Sequence, residues 1–373
     1  MLPATRNLYV DQHNYGDDMY KGATTHSVTI DGREIGPGQP TYIIAELSAN
    51  HNQDFDQAVK LVHAAAEAGA DAVKLQTYTA DTLTIDCDRS YFQIGEGTIW
   101  AGRNLYDLYG EAYTPWEWQP QIKALSEQLG MQCFSSPFDA TAVEFLKDMN
   151  VPAYKVASFE IVDTLLLEKI GATGKPVIVS TGMASLAEIS DAVDTLRRAG
   201  APDIALLKCI SAYPALPEAM NLRTIPHMAE AFSVTAGLSD HTPGIVAPVA
   251  SVAVGATIIE KHFTLSRDVP GPDSQFSLEP HEFRDMVEAV RVAEKVLGEI
   301  QYGVGDSEEK SRAFRRSLFV VQDVKKGAEF TQHNVRSIRP GHGMAPRHLP
   351  DVMGRTARAD IPRGTPLDWR DVA

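Results

Sequence analysis

The stretch IIEKHFT, residues 258–264, begins as a buried strand and ends in charged and aromatic side chains. Alternate residues of a strand share a face, so Ile258, Glu260 and His262 lie on one side and Lys261 on the other. We expect Lys261 to face the helical layer or solvent. A carboxylate and an imidazole at the end of an apolar strand are costly if they are buried without partners. The stretch therefore predicts a strand that carries polar groups into a functional site.

Seven similar apolar runs precede this one, and segments with helical periodicity lie between most of them. The runs read YIIAE, AVKLQ, QCFSS, AYKVAS, PVIVST, IALLKCI and VTAGLSD. Strands that alternate with helices pair in parallel, and eight such units predict a closed (β/α)₈ TIM barrel of the α/β class. The run PHEFRDMVEAVRVAEKVLG predicts the helix that closes the barrel.

Shifts in composition divide the chain into four segments. Residues 1–27 form a polar N-terminal extension, and residues 28–298 form the barrel domain, which opens with a hairpin around the turn pair DG. Residues 299–312 have the composition of a polar linker. Residues 313–373 contain short β-like runs and Gly- and Pro-rich turns, so we predict a small, mostly β C-terminal domain.

The connection between the second and third strands is unusually long, from Thr77 to about Pro120. It carries the run GTIWAGRNLYDLYGEAYTPWEW, which is too aromatic and too structured for a flexible linker. We expect this segment to form a lid over the mouth of the barrel, where loops of such a fold carry function.

The net charge of −15 in 373 residues argues against binding to nucleic acid or anionic membranes, because nothing offsets phosphate repulsion. A local cluster of Lys or Arg can still bind an anionic small molecule. The three cysteines are too few and too scattered for a disulfide framework, which fits a reducing compartment. No apolar run approaches the length of a membrane span, and the first residues lack the apolar core of a signal peptide. We expect a cytoplasmic protein.

Polar side chains follow every one of the eight apolar runs at the same end. The chemistry of a barrel lies at the C-terminal ends of its strands, so a polar group at all eight ends predicts one shared site. A single serine there is better explained as a hydrogen-bonded barrel residue, but that explanation does not account for eight clusters at one end. The residues are Glu46, Lys74, Gln76, Ser135, Ser136, Lys155, Ser158, Ser180, Thr181, Ser211, Ser239, His241, Glu260 and His262.

Two lysines at strand ends predict an anion site. Lys74 and Gln76 lie two residues apart on one strand and face the same way, while Lys155 ends another strand. Two ammonium groups that meet in one cavity repel unless an anion lies between them, which suggests a phosphate or carboxylate ligand. The alternative is that each lysine pairs with a neighbouring glutamate, such as Glu46 or Glu160.

Two histidines end consecutive strands, which are neighbours in a barrel. Imidazoles that converge on the mouth, here His241 and His262, suit a divalent metal whose other positions are filled by water or substrate. We expect Mn²⁺, with Mg²⁺ or Co²⁺ as alternatives, and Asp273 is placed to reach the same mouth. An equally good explanation is a pair of neutral, hydrogen-bonded histidines.

The residues alone fit a barrel enzyme with either of two chemistries. One is metal-assisted carbon–carbon bond formation, in which the metal acts as a Lewis acid on a carbonyl. The other is a Schiff-base aldolase that uses a lysine as nucleophile. The residue pattern by itself favours neither of them.

Many motifs, in order from about Val28 to the C-terminus, resemble those of the sialic acid synthase family. They are IIAELSANHN, GADAVKLQTYTADTLT, CFSSPFD, YKVASFE, VIVSTGM, AYPALPEAMNL, GLSDHT, IIEKHFT and PGPDSQFSLEP. The tail, with RRSLFVVQDVKKGAEFT and SIRPGHGMAP, resembles the antifreeze-like domain of that family. The resemblance implies an enzyme that condenses phosphoenolpyruvate with an amino-sugar to give a nonulosonic acid and phosphate.

Within the family, AELSANH, the lid run and KCISAYP resemble the branch that makes pseudaminic acid. This branch implies the sugar 2,4-diacetamido-2,4,6-trideoxy-L-altrose. The neuraminate branch typically has Asn at the position of Ser211. Synthesis of N-acetylneuraminate or legionaminate remains an alternative, as does a non-catalytic protein that binds ice or carbohydrate through its antifreeze-like tail.

The resemblance also implies a role for each residue that matches the motifs of the family. The metal ligands match His241 and His262. The phosphoenolpyruvate site matches Lys74, Ser136, Lys155, Ser158, Ser180, Ser211 and Ser239. The residues around the sugar and the reacting carbons match Glu46, Gln76, Tyr213, Glu260 and Asp273.

The family resemblance further implies C–O rather than P–O cleavage and a domain-swapped homodimer. Glu46 is the favoured base near C2 of phosphoenolpyruvate, with Glu260 nearer the aldehyde. In the dimer, the antifreeze-like domain offers an arginine to the sugar N-acetyl group in the other subunit. The matching residue is Arg339, in the run IRPGHG.

Overall fold

The computed structural model describes residues 26–373, and the chain divides after Gly298 into two compact units. The predicted polar extension, 1–27, lies outside the described residues except for its last two positions. The predicted linker, 299–312, contains the start of a 3₁₀-helix, Glu309–Phe314, in the second unit.

The first unit contains a closed barrel of eight parallel strands, which confirms the predicted TIM barrel. The order of strands around the barrel is β10-β3-β4-β5-β6-β7-β8-β9, so the last strand pairs with the first. The strands are β3 (Tyr42–Glu46), β4 (Ala72–Thr77), β5 (Gln132–Pro137), β6 (Tyr154–Val156), β7 (Val177–Ser180), β8 (Ile204–Cys209), β9 (Thr235–Asp240) and β10 (Ile258–His262).

Helices connect successive strands and cover the outside of the barrel, as a parallel sheet requires. They are α1 (Phe55–Glu67), α2 (Ala80–Leu83), α3 (Leu105–Ala112), α4 (Gln119–Gln128), α5 (Ala140–Asp148), α6 (Thr164–Gly171), α7 (Leu186–Ala199), α8 (Thr224–Phe232), α9 (Val246–Ala253) and α10 (Pro280–Leu297). Asp54, Asp139 and Asp163 cap α1, α5 and α6 by accepting backbone N–H groups. Among the described helices, none combines the length and the apolarity needed to cross a bilayer.

The predicted hairpin, β1 (Val28–Ile30) and β2 (Arg33–Ile35), packs at the N-terminal end of the barrel strands. Its apolar side chains belong to the same buried cluster as Tyr42, at the start of β3. The amide of Gln132, which begins β5, donates to Ile30 O at 3.0 Å. Because this end is covered, access to the barrel lies at the opposite, C-terminal end of the strands.

The lid segment between β4 and β5 contains α2 and α3 and is tied down at its C-terminal end. His51 Nε2 lies 3.0 Å from Thr114 Oγ1, and Gln53 Nε2 donates to the carbonyls of Glu111 and Tyr113. Both anchoring residues belong to the loop after β3. The lid is therefore held by the first loop at the mouth of the barrel.

The second unit is small and mostly β, as predicted. Its strands β11 (Ser317–Val320) and β12 (Val335–Ile338) pair antiparallel, and a short helix, α11 (Leu349–Val352), follows. A separate buried cluster, which includes Leu318, Phe330 and Leu367, forms its core. The unit thus has its own apolar interior.

Lys261 faces the outer side of the barrel, as expected. The expectation that it could face solvent there is wrong. Its side chain is fully buried and pairs with the carboxylate of Asp240, which is also fully buried. The ammonium group also donates to Thr242 O, and Asp240 accepts from the backbone and hydroxyl of Thr242, each at 3.0 Å. This ion pair joins β9 and β10 on the face opposite His241 and His262.

Replacing Lys261 with Met should lower the free energy of unfolding by about 3–5 kcal/mol, because Asp240 is left as a buried charge without its partner. Chemical denaturation followed by circular dichroism measures this loss. The double variant Asp240→Asn/Lys261→Met removes both charges and should recover much of the stability. A loss below about 1 kcal/mol in the single variant would contradict the assignment of a buried, paired charge.

Candidate active site

A cavity of about 330 Å³ lies at the C-terminal ends of the barrel strands. Its volume is in the range of small-molecule sites. Most of the residues predicted for the site line it. These are Lys74, Gln76, Lys155, Ser158, Ser180, Tyr213, Ser239, His241, Glu260, His262 and Asp273.

The register of the parallel strands brings these side chains to one level. Glu46, the last residue of β3, is paired with Lys74 of β4 on one side and with His262 of β10 on the other. Glu260 is paired in the same way with Ser239 of β9. Because side chains two residues apart on a strand share a face, the inward positions at the strand ends meet in the cavity.

Two lysines and two glutamates form a buried cluster of four charges. Lys74 Nζ lies 2.6 Å from Glu46 Oε2 and 3.5 Å from Glu260 Oε1. Lys155 Nζ lies 3.7 Å from the same oxygen of Glu260. The pairing of a lysine with Glu46, one of the alternatives considered above, is therefore present for Lys74. Lys155 pairs with Glu260 and not with Glu160, the other glutamate considered: among the described residues, no ion pair joins Lys155 to Glu160.

Hydroxyl groups extend this four-charge cluster. Lys155 Nζ donates to Ser180 Oγ at 2.6 Å, and Ser239 Oγ donates to Glu260 Oε1 at 3.0 Å. Lys74 Nζ lies 3.5 Å from Ser136 Oγ. The cavity floor thus concentrates ammonium and hydroxyl donors, the groups that bind phosphate and carboxylate oxygens.

The two carboxylates of the four-charge cluster have different proton affinities. Burial raises the pKa of Glu46 to about 7, although Lys74 opposes this shift. Burial acts in the same direction on Glu260, but Lys155 and Lys74 outweigh it and lower the pKa of that carboxyl below its ordinary value. Neighbouring acids with pKa values pushed apart suit separate roles in acid–base chemistry.

The imidazole rings of His241 and His262 lie 5.2 Å apart. His241 Nδ1–H donates to Ile210 O at 2.8 Å, which leaves the other ring nitrogen of His241 as an acceptor. His262 Nδ1 is buried and has no hydrogen-bond partner. Burial, with His241 adding to it, lowers the pKa of His262 well below its ordinary range, so this ring is neutral at pH 7.

These two rings fit a metal site with few protein ligands. No group of three or more His, Cys, Asp or Glu side chains suited to hold a metal ion occurs within residues 26–373. The pair therefore offers two ring nitrogens, and an unpartnered buried nitrogen such as His262 Nδ1 is costly unless it binds something. Glu260 Oε2, on the same strand, is also buried without a hydrogen-bond partner.

Tyr213 closes the side of the cavity beside the histidines. Its ring lies 4.4 Å from that of His241 and 5.1 Å from that of Phe276. Asp273, from the loop after β10, accepts a hydrogen bond from the hydroxyl of Ser48. Asp273 therefore lies at the mouth of the barrel, as predicted.

The comparisons with known proteins agree with this geometry. The NeuB family model matches residues 61–302, and the SAF domain model matches residues 315–373. The pseudaminic acid synthase of Helicobacter pylori is 44% identical over 335 residues, which cover 90% of this chain and 98% of the relative. The chain belongs to the NeuB family.

Two further proteins of related function are less similar. The N,N'-diacetyllegionaminic acid synthase of Campylobacter jejuni is 34% identical over 85% of this chain and 96% of the relative. The crystal structure of the N-acetylneuraminic acid synthetase of Leptospira borgpetersenii has a TM-score of 0.68 at 31% identity, and covers 77% of this chain and 95% of that chain. The predicted sialic acid synthase family, with its C-terminal antifreeze-like domain, is confirmed.

Some predicted site residues of this NeuB-family chain are not on the cavity wall. Glu46 is not among the lining residues, but its carboxylate contacts Lys74 and Gln76, which both line the cavity, and Gln76 Nε2 donates to it at 3.1 Å. Ser211 Oγ lies 2.7 Å from Ser158 Oγ and supports that residue from behind. Ser136 also lies outside the lining, next to Lys74.

Arg339 is not part of this cavity within the chain. It directly follows β12 in the second unit, so its predicted role in the site of another subunit stays a prediction.

Gly182 explains how three loops approach one another beside the cavity. Its φ of +47° is left-handed, and an added Cβ would lie 2.4 Å from Ser158 Cβ and 2.7 Å from Ser211 Oγ. A side chain at this position would therefore separate the turn after β7 from the two serines. The glycine of the run STGM is required by this close approach.

Glu160 and Cys209 line the cavity but were missing from the predicted site. Glu160, from the loop after β6, has one buried oxygen without a partner, and burial raises its pKa to about 7. Cys209 ends β8, and its Sγ lies 3.9 Å from His241 Nδ1. Both residues lie at or just after a strand end, so the expectation of polar residues at strand ends could have identified them.

Proposed function

We propose that this protein is a pseudaminic acid synthase. It condenses phosphoenolpyruvate with 2,4-diacetamido-2,4,6-trideoxy-L-altrose and water to give pseudaminic acid and phosphate. The observation that carries the proposal is the convergence of Lys74 and Lys155 on Glu260, beside the histidine pair. The greater similarity to pseudaminic acid synthases than to legionaminic acid synthases supports this sugar over the others.

The donors on the cavity floor suit phosphoenolpyruvate, which carries both a phosphate and a carboxylate. Lys74, Lys155, Ser180 and Ser239 supply ammonium and hydroxyl groups within one small volume. On binding, substrate oxygens take the place of carboxylate oxygens around the lysines. Charge-assisted hydrogen bonds of this kind are stronger than neutral ones and fix the orientation of the reacting carbon.

The two histidines would hold a divalent metal, and Mn²⁺ is our first choice, with Mg²⁺ or Co²⁺ as alternatives. The neutral ring of His262 and its unpartnered nitrogen support this assignment. When bound, such a metal acts as a Lewis acid on the aldehyde of the sugar.

The reaction forms a bond between C3 of phosphoenolpyruvate and the aldehyde carbon. Positive charge then develops at C2, water adds there, and phosphate leaves with cleavage of the C–O bond. We assign the base that takes the proton from water to Glu46, because its pKa of about 7 lies near the operating pH. Glu260, whose pKa is lowered, remains ionised and balances the lysines.

A Schiff-base aldolase is the second candidate, and one observation favours it. Burial lowers the pKa of Lys155, which is the direction that a nucleophilic lysine requires. Lys155 Nζ also donates to Ser180 Oγ at 2.6 Å and to Val156 O at 3.1 Å, and donors engaged in this way favour the ammonium form. We therefore keep Lys155 as an anion-binding group.

We also propose a homodimer that works in the cytoplasm. An exposed apolar rim surrounds part of the mouth, on the segments that follow β6 to β9, and each of its side chains is more than half exposed. The rim residues are Phe159, Val162, Leu165, Met183, Leu186, Leu216 and Val246. A second copy of the chain that covers this rim would bring its Arg339 to the sugar. The three cysteines of the described residues are free, which supports a reducing compartment.

The proposed activity is tested by incubation with phosphoenolpyruvate, Mn²⁺ and a panel of sugars. We expect phosphate release with 2,4-diacetamido-2,4,6-trideoxy-L-altrose and its loss on addition of EDTA, with the product identified by mass spectrometry. The panel includes N-acetylmannosamine and the sugar precursor of legionaminic acid. Faster turnover of either one would replace the proposed substrate. Activity that survives EDTA, with substrate trapped on Lys155 by borohydride, would favour the aldolase.

Glu46→Gln should bind phosphoenolpyruvate and lose turnover, because the amide cannot accept a proton. In the wild type, kcat should fall as the pH drops through about 7, where the carboxylate becomes protonated. Calorimetry measures binding and phosphate release measures kcat. Glu288→Gln, at an exposed position on α10, controls for the loss of one negative charge. Retained turnover in the Glu46 variant would remove this residue from the role.

Subunit complementation tests the dimer. His262→Ala and Arg339→Ala should each be inactive alone. The first variant lacks a group in its own barrel, and the second lacks the arginine that completes the site of its partner. Co-expression with two different tags should give heterodimers with one intact site and restored phosphate release. Failure of complementation, with a monomer in light scattering, would contradict the shared site.

A further inference from the structure

The cavity has two chemically different walls. The strand ends supply the polar wall described above. The lid supplies an apolar wall, which consists of Leu83, Ile94, Trp100, Leu105 and Leu108. Four of these five side chains are half-buried, and Leu108 is 6% exposed. A sugar with hydroxyl groups at every carbon would leave such a wall without a complementary group.

We propose that the apolar wall binds the deoxygenated C6 end of the sugar and thereby selects 6-deoxy substrates over 6-hydroxy substrates. This inference rests on the proposed function and adds the residues that read one feature of the substrate. The lid is thus a specificity element in addition to a cover.

Hydrogen bonds of Trp100 and Asn104 hold the apolar wall in place. Trp100 Nε1 donates to Pro272 O at 2.9 Å, and its ring lies 5.4 Å from that of Tyr213. At the start of α3, Asn104 accepts from the backbone of Tyr106 at 2.8 Å and donates to Cys87 O at 3.0 Å. An apolar surface fixed in this way can discriminate between ligands, since it does not rearrange to satisfy a new polar group.

The direction of the sugar follows from the chemistry of the two walls. The aldehyde carbon must meet C3 of phosphoenolpyruvate at the polar wall, near the lysines and histidines. The carbon chain of the open sugar runs away from this point, and C6 is its far end. The lid supplies the rest of the lining away from the strand ends, so the C6 methyl group meets the apolar wall.

The polar groups near the lid are compatible with an apolar contact at C6. Tyr109, on α3, and Glu160, from the loop after β6, both line the cavity, and Glu160 contributes to the raised pKa of Tyr109 after burial. They are available to the hydroxyl and amide groups in the middle of the sugar. Leu105 and Leu108 precede Tyr109 on the same helix and provide the apolar contact.

The expected discrimination is modest, because an apolar pocket excludes an added hydroxyl group only by the cost of burying it. We expect kcat/KM for the 6-deoxy sugar to exceed that for 2,4-diacetamido-2,4-dideoxy-L-altrose by about 10- to 100-fold. The two compounds differ only at C6, so the ratio isolates the contact with the apolar wall.

Leu108→Asn is the decisive variant. Asparagine has nearly the size of leucine and places a hydrogen-bonding group on the apolar wall. We expect kcat/KM for the 6-deoxy sugar to fall about 10-fold or more, and the ratio between the two sugars to approach one. Leu108→Met keeps an apolar side chain and should preserve the ratio. Leu129→Asn, which lies at the end of α4 outside the cavity, is the matched control and should change neither value.

The outcomes separate this inference from the proposed function. A wild-type enzyme that converts neither diacetamido sugar contradicts the proposed function. One that converts both with equal kcat/KM overturns the inference alone. A Leu108→Asn enzyme that loses the same factor for both sugars assigns Leu108 to folding of the lid and also overturns it. If that variant does not fold, as judged by thermal unfolding, Leu105→Asn on the same wall takes its place with the same expected change in ratio.

Discussion

The site depends on the mutual neutralisation of four buried charges. Lys74 and Lys155 are tolerable inside the barrel because Glu46 and Glu260 lie within ion-pair distance, and removal of any one member leaves an unbalanced charge in the protein interior. The cluster also keeps the donors of both lysines at one place. It therefore serves the stability of the fold and the binding of an anion with the same groups.

Much of the fold and of the site could be predicted from the sequence, because two simple regularities hold throughout the barrel. Buried parallel strands are short apolar runs, and their C-terminal ends converge. These regularities located all eight strands and most of the polar residues at strand ends that line the cavity.

What the sequence could not predict depends on the directions of side chains in three dimensions. Nothing in the order of residues shows that Lys74 contacts both Glu46 and Glu260, because lysine has a long side chain and several partners lie within reach. The burial of Lys261 depends on Asp240 of the neighbouring strand, 21 residues away. The apolar wall of the cavity was hidden for the same reason, since the lid has no regular periodicity that reveals which side faces inward.

The pairing of β10 with β3 has a consequence for how the protein is made. Glu46 and His262 are cross-strand neighbours although more than 200 residues separate them, so the last barrel strand to leave the ribosome joins the first barrel strand. Until then, β3 and β9 each present an open edge to other chains. A nascent chain that carries both lysines still lacks Glu260 and His262, and charge balance in the interior comes only with closure. Activity is therefore a property of the completed ring and of no shorter fragment.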